Sequence, residues 1–182
     1  MHLKNLIKKI AGVLEKNKIG YIIVGGQAVI VYGIFRTTKD IDITIDIDIN
    51  EIEKVIQILR KIGLKVLVSE PENFVRDVFV LPAIEEKSKI RVDIIFGLSP
   101  FEKEAIKRAN KIKIDNVNVR FISIEDLIIQ KVISKRNKDT EDVKILLTKN
   151  KNINENYVID WLKKLEEVME ENLVEKFLSL KN

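Results

Sequence analysis

Two aspartates, Asp40 and Asp42, open a run in which isoleucine occupies every second position as far as Ile49. Strict alternation is the period of a β-strand, on which residues two apart share a face with Cα atoms about 7 Å apart. Carboxylates at that spacing can converge on one divalent ion or bridge two, the arrangement that metal-assisted phosphoryl and nucleotidyl transfer uses. Asp46 and Asp48 share the face, but Asp46 falls about 20 Å beyond Asp40, too distant for the same ion. Both read as solvated or helix-facing polar positions. Taken alone, the alternation equally describes an edge strand whose wet face is charged against aggregation. Two further features bear on the choice. Gly25-Gly26 follows the apolar run Tyr21–Val24 at a strand-to-helix junction, where a bare backbone lets a phosphate approach and a helix N-terminus favours negative charge. Asp93 stands in the otherwise apolar Val92-Asp93-Ile94-Ile95, where an acid is costly unless paired or metal-bound. Each also has an ordinary reading: the glycines as a tight turn, and Asp93 as the ion-pair partner of Arg91 or Arg76.

Other chemistries are nearly closed off. The chain has 182 residues and no cysteine, which removes disulfides, thiolate metal sites and cysteine nucleophiles. Its one histidine is His2, beside the start methionine, so histidine catalysis and histidine-ligated zinc have little to stand on. A divalent metal would be held by carboxylates, which points to Mg²⁺ or Mn²⁺. The formal net charge of +4 favours anionic partners without identifying one. Hydrophobic residues at 46% allow a packed core. The lysine-rich opening has no apolar signal region, and no uncharged run approaches the roughly 20 residues of a membrane span. The expectation is a soluble cytoplasmic protein with no membrane partner.

The elements that must position these residues follow from periodicity. Leu3, Leu6, Ile7, Ile10, Val13 and Leu14 mark an amphipathic opening helix. Tyr21–Val24 reads as a buried strand, 27–34 as a brief helix closing near Gly33, and the Asp/Ile run as the next strand. Asn50 is placed to cap a helix ending at Gly63. Strands are expected at 64–68, 77–81 and 90–96, a helix at 100–109, and a hairpin of 111–114 with 117–122 through Asp115-Asn116. Ser123, with Asp126 at the capping-box position, opens a helical remainder with segments at 139–148 and 154–180. The expected organisation is an α/β domain over 1–122 and a C-terminal helical subdomain over 123–182.

Val24-Gly25-Gly26, a 13-residue spacer, Asp40-Ile41-Asp42 and the later Asp93 together resemble the nucleotidyltransferase superfamily, the polymerase-β-like fold. Arg36-Thr37-Thr38-Lys39, leading into Asp40, gives Arg-x-Thr-x-Asp-Ile-Asp, which is similar to the branch of aminoglycoside and abortive-infection toxin nucleotidyltransferases. The resemblance spans roughly residues 20–145. It implies a mixed-sheet α/β (α+β) fold and transfer of a nucleoside monophosphate from a nucleoside triphosphate (ATP among them) to a hydroxyl, releasing pyrophosphate. By it, Asp40, Asp42 and Asp93 are the catalytic and metal carboxylates, Asp93 being placed to help deprotonate the acceptor. Gly25, Gly26, Arg36, Thr38 and Lys131 would meet the triphosphate, and Asp139 would line the acceptor side. Arg36 alternatively reads as a structural partner of Asp40 or Asp42, and Lys131, Arg136, Asp139 and Asp142 as a solvated helix face with its own ion pairs. RNA, a protein or a small molecule remains open as acceptor. The apolar positions Trp161, Leu162, Leu165, Val168, Met169 and Leu173 suit packing, a homodimer or a helical partner protein. The rival reading is a catalytically silent nucleotide-binding or interaction protein, such as half of a toxin–antitoxin pair.

Overall fold

The computed structural model of the chain describes residues 2–181. It divides into two compact units, Met1–Gln27 with Thr37–Ile122, and Ala28–Arg36 with Ser123–Asn182. Residues 28–36, read from the sequence as part of the α/β half, therefore group with the helical unit. No described helix is long and apolar enough to cross a membrane.

The first unit is built on a mixed sheet of seven described strands, in the order β3-β4-β5-β2-β1-β7-β6. In chain order its elements are α1 (His2–Lys16), β1 (Gly20–Val24), the start of α2 (Gly25–Val31), β2 (Ile41–Asp46) and a 3₁₀ turn at Ile49–Glu51. There follow α3 (Ile52–Lys61), β3 (Leu64–Val66), α4 (Pro71–Val78), β4 (Val80–Glu85), β5 (Ile90–Phe96), α5 (Pro100–Lys107), β6 (Asn110–Ile114) and β7 (Val117–Phe121). Alternation in β2 does what its period demands. Ile41, Ile43 and Ile45 are at most 1% exposed, in one buried layer with Tyr21 and Ile23 of β1, their antiparallel neighbour. Truncating any one of these isoleucines to alanine would cost about 2–5 kcal/mol.

Two expectations are corrected here. Residues 71–78 form a helix, and the strand begins at Val80 rather than Asp77. Pro71 sits in the first turn, where a missing N–H costs nothing, and Val75 is the buried anchor. Pro82 inside β4 lies opposite the end of β3, where its carbonyl accepts from the Leu67 N–H at 2.9 Å, so its missing N–H falls at the last rung of that ladder. The side-chain cap is Asp48 rather than Asn50: its carboxylate accepts from the Asn50 N–H at 2.8 Å at the start of the 3₁₀ turn that leads into α3, whose own N-cap, Glu51, makes no side-chain cap bond.

In the second unit the remainder of α2 joins α6 (Ile124–Ile133), α7 (Asn137–Lys149), α8 (Glu155–Met169) and α9 (Leu173–Ser179). Ser123 caps α6 as its sequence suggests, accepting from the Asp126 N–H at 3.1 Å. Fully buried Asp126 also accepts from Ser123 Oγ and from Tyr157 Oη of α8, each at 2.7 Å. Lys176 of α9 donates to the Ser134 carbonyl at 2.8 Å, capping the end of α6. The segment 28–36 is tied to α7 through Lys149 to the Gly33 carbonyl at 2.7 Å and Asn150 to the Tyr32 carbonyl at 3.3 Å. The single helical run expected over 154–180 is broken at Glu170, which adopts left-handed backbone (φ 53°) and ends α8.

Candidate active site

Strands β2 and β5 run parallel, and their register sets Asp42 directly beside Asp93. Paired residues on neighbouring strands share a face, about 4.8 Å apart. On the far side of β2, Asp42 pairs with Val24, the last residue of β1, and the chain turns there into Gly25. Gly25 has φ +60°, and a Cβ on it would lie 2.1 Å from Asp42 Oδ2 and 2.9 Å from its Cγ. Only glycine both adopts that backbone and leaves room for the carboxylate. Gly26 follows in the first turn of α2, buried.

Asp40 lies one residue before β2 and is exposed; its carbonyl accepts from Gln27 Nε2 at 3.2 Å, which fastens the approach to the strand. Thr38, on the same non-helical approach, is half-buried. Asp93 Oδ1 is buried and makes no hydrogen bond. The nearest cation, Arg91, stands 3.6 Å from it on a side chain 55% exposed, beyond hydrogen-bonding reach. Arg76, the other candidate partner, donates instead to Asn50. A buried carboxylate oxygen without a donor costs roughly 1–3 kcal/mol or more, and it leaves that oxygen free to accept from or coordinate a ligand.

Among the described residues, no three acids gather closely enough to hold an ion unaided. Mg²⁺ does not ask for that, because it keeps several waters and is commonly bound through one or two carboxylates together with substrate phosphates. The Asp42–Asp93 pair, with an unspent oxygen on one and a glycine cradle around the other, fits that partial ligand set.

The second unit gathers Arg36, Lys131, Asp139 and Asp142. Lys131 is 5% exposed and donates to Asp139 Oδ1 at 2.6 Å and to Asp142 Oδ2 at 2.7 Å. Arg36 donates through one terminal nitrogen to Asp142 at 2.8 Å, while its Nε is buried without a partner. Asp139 Oδ2 accepts from Ser134 at 2.7 Å and from Arg136 at 2.6 Å. Burial pushes the Asp139 carboxyl up; hydrogen bonds from Lys131 and Ser134, with Arg136 beside them, overcome it and lower its pKa to about 2. The alternative of a solvated helix face is thereby corrected: three of these groups are buried. Arg36 pairs with Asp142 and has no ion pair with Asp40 or Asp42 among the described residues. Sequence reasoning undervalued Asp142 and passed over Gln27. The signal for Asp142 was present, since Asp139 and Asp142 are three apart on a helix and so share a face.

Residues 1–178 match the family described as "Nucleotidyltransferase of unknown function (DUF6036)". A comparison with curated proteins finds no match. Among solved structures, ANT(2'')-Ia in complex with adenylyl-2''-tobramycin aligns with a TM-score of 0.56 and 18% identity, covering 81% of this chain and 89% of that one. The lincomycin-bound lincosamide antibiotic adenylyltransferase LnuA aligns at 0.53 and 21% identity, over 76% of this chain and 92% of that one. An antigenic nucleotidyltransferase-like protein from Paracoccidioides brasiliensis aligns at 0.58 and 15% identity, over 96% and 91%. At such identities the likeness is one of fold, and it is the family match, running through β1, the Gly25 turn, Asp42 and Asp93 into α9, that makes this chain a member of the nucleotidyltransferases.

Proposed function

We propose that the protein moves a nucleoside monophosphate from a nucleoside triphosphate to an acceptor hydroxyl, with Mg²⁺ (or Mn²⁺) bound at the acid pair. The observation that carries this reading is the in-register pairing of Asp42 with Asp93 beside a glycine whose missing side chain makes room for Asp42. Asp42 and Asp93, with Asp40 at the strand entrance, are the residues that would hold the ion, which when bound polarises the phosphoryl oxygens and offsets their charge. Gly25 and Gly26 leave bare backbone beside Asp42 for the triphosphate. Asp93, whose Oδ1 has no donor, takes the proton of the acceptor hydroxyl as its oxygen attacks the α-phosphorus and the bond to pyrophosphate breaks. Arg36 has an unspent Nε donor, the type of group that grips a phosphate, and Thr38 lies on the same approach to β2. Lys131 and Asp139 serve by holding Asp142, and through it Arg36.

The test is release of pyrophosphate from each of the four common triphosphates, with RNA, protein and aminoglycoside acceptors offered in turn. Asp93→Asn should lower turnover by about 10²–10⁴-fold, the range for loss of a general base, without unfolding the protein. Asp42→Asn should abolish it. Turnover by folded Asp42→Asn at the parent's rate would refute the assignment.

A further inference from the structure

The chain's positive charge is unevenly placed. Residues 1–27 and 100–122 carry eleven Lys and Arg against four Asp and Glu, a net +7, so the remaining residues sum to −3. The densest stretch is 103–113, where Lys103, Lys107, Arg108, Lys111 and Lys113 face a single acid, Glu104. Lys103 and Lys107 are exposed on α5, Lys111 and Lys113 are exposed on β6, and none of the four enters an ion pair among the described residues.

Register places these lysines on the sheet face that bears Asp42. Ile23 pairs with Ile43 and with Phe121, so Phe121 shares the buried isoleucine face and Arg120, its neighbour, takes the other. Lys111 and Lys113 pair with Arg120 and Asn118 and take that other face too. Helix α5 packs on the same side: Arg120 donates to the Ile106 carbonyl at 2.5 Å, and Gly20, opposite Asp46, lies against Ile106. Strand spacing sets β6 about 14 Å across the sheet from β2.

We infer that this α5–β6 face binds the phosphate backbone of an RNA acceptor, an inference that rests on the transfer reading above. Edge protection accounts for Lys111 and Lys113, since β6 is an edge strand, but not for Lys103 and Lys107 on a helix. The face carries no exposed large hydrophobic side chain; among the described residues those lie at 30, 35, 67, 74, 78, 79, 98, 145, 168 and 178. It therefore lacks the apolar wedge of a membrane-surface helix and the aromatic anchors of a protein interface. Lacking aromatics, it also reads backbone rather than stacked bases. Neither α5 nor β6 stands free of the sheet to enter a major groove, whereas the wide, shallow minor groove of A-form RNA lies against a flat surface.

The test uses the full chain and a short 5′-labelled RNA duplex, titrated across salt without triphosphate. Four neutralised phosphates on a duplex give a log–log salt slope of about −3.6, and Lys107→Gln with Lys111→Gln should flatten it by about 1.8. Lys4→Gln with Lys9→Gln, which removes the same charge from α1, should leave the slope in place. Equal binding by the Lys107/Lys111 variant, equal affinity for DNA of the same sequence, or capture by anionic vesicles in place of RNA would each overturn the inference. Thermal stabilisation by Mg²⁺ and triphosphate, measured on the same proteins, separates the two readings. A parent that responds to triphosphate and ignores RNA loses the docking face alone. One that binds RNA through these lysines without responding to triphosphate keeps the face and loses the transfer reading.

Discussion

A single glycine shows how tightly the candidate site is drawn. At Gly25 two demands coincide: a left-handed backbone at φ +60° and a Cβ position 2.1 Å from a carboxylate oxygen. Left-handed backbone costs an alanine about 1–2 kcal/mol, whatever surrounds it. Displacing Asp42 is a separate cost, and on the proposed reading it falls on chemistry. Gly63 separates the two effects, because it has φ +79° and nothing within 4 Å of an added Cβ. Gly25→Ala and Gly63→Ala should thus lose similar stability, while only Gly25→Ala loses nucleotidyl transfer, by 100-fold or more. Melting curves and pyrophosphate release on both variants check this. Equal activity in the two would mean that Asp42 can move without consequence.

At the scale of elements, the buried ion lattice between α6 and α7 is where charge and stability meet. Removing Lys131 leaves Asp139 and Asp142 facing each other in a buried site with only the arginines in reach. Breaking a buried pair by deleting one partner typically costs 3–5 kcal/mol. Lys131→Met should cost about that much, read as a lowered midpoint in urea. Acid should find the same place. Asp139 has its pKa lowered to about 2 from an ordinary 3.8, so its contribution is complete above pH 4 and is lost as pH falls from there toward 2. The shift corresponds to about 2 kcal/mol, and Asp139→Asn should flatten stability against pH within that window. This lattice was only half legible in the sequence. Spacing announces that Asp139 and Asp142 share a helix face, but nothing local says that Lys131, on the preceding helix, is buried between them. The same contrast runs through the fold. The alternation in β2, the Ser123 cap and the Asp115-Asn116 turn are local signals, and each element stands where its residues suggest. Helix α4 was missed because Phe74, Val75 and Val78 suit a strand as well as a helix, and the choice was made by Pro71 and by the pairing of β4 with β5. The register that sets Asp42 beside Asp93 is non-local, and so the pair was an expectation from resemblance until the sheet order was known.

For the molecule as a whole, a binding site made of like charges has a thermodynamic signature. Asp42 and Asp93 stand on adjacent strands in register, and like charges directly opposite one another destabilise a sheet. At such a distance their repulsion is about 1 kcal/mol in water-like surroundings and more where water is excluded. On the proposed reading, that cost is offset when a cation binds between the two carboxylates. Asp42→Asn removes one charge at nearly constant shape, so the variant should melt at the parent's temperature or above it in the absence of metal. Mg²⁺ with triphosphate should then separate the two proteins. At a hundred times its dissociation constant, a ligand that binds only the folded state stabilises it by about 2.7 kcal/mol. For a chain of this length that is a rise of roughly 5–10 °C. The parent should show it and Asp42→Asn should not. The measurement is the far-UV circular dichroism melt of both proteins with and without Mg²⁺ and triphosphate. A variant that unfolds outright would make Asp42 a structural acid. A variant stabilised as strongly as the parent would place the triphosphate elsewhere on the chain, and Asp42 would then be one more charge on the wet face of a strand.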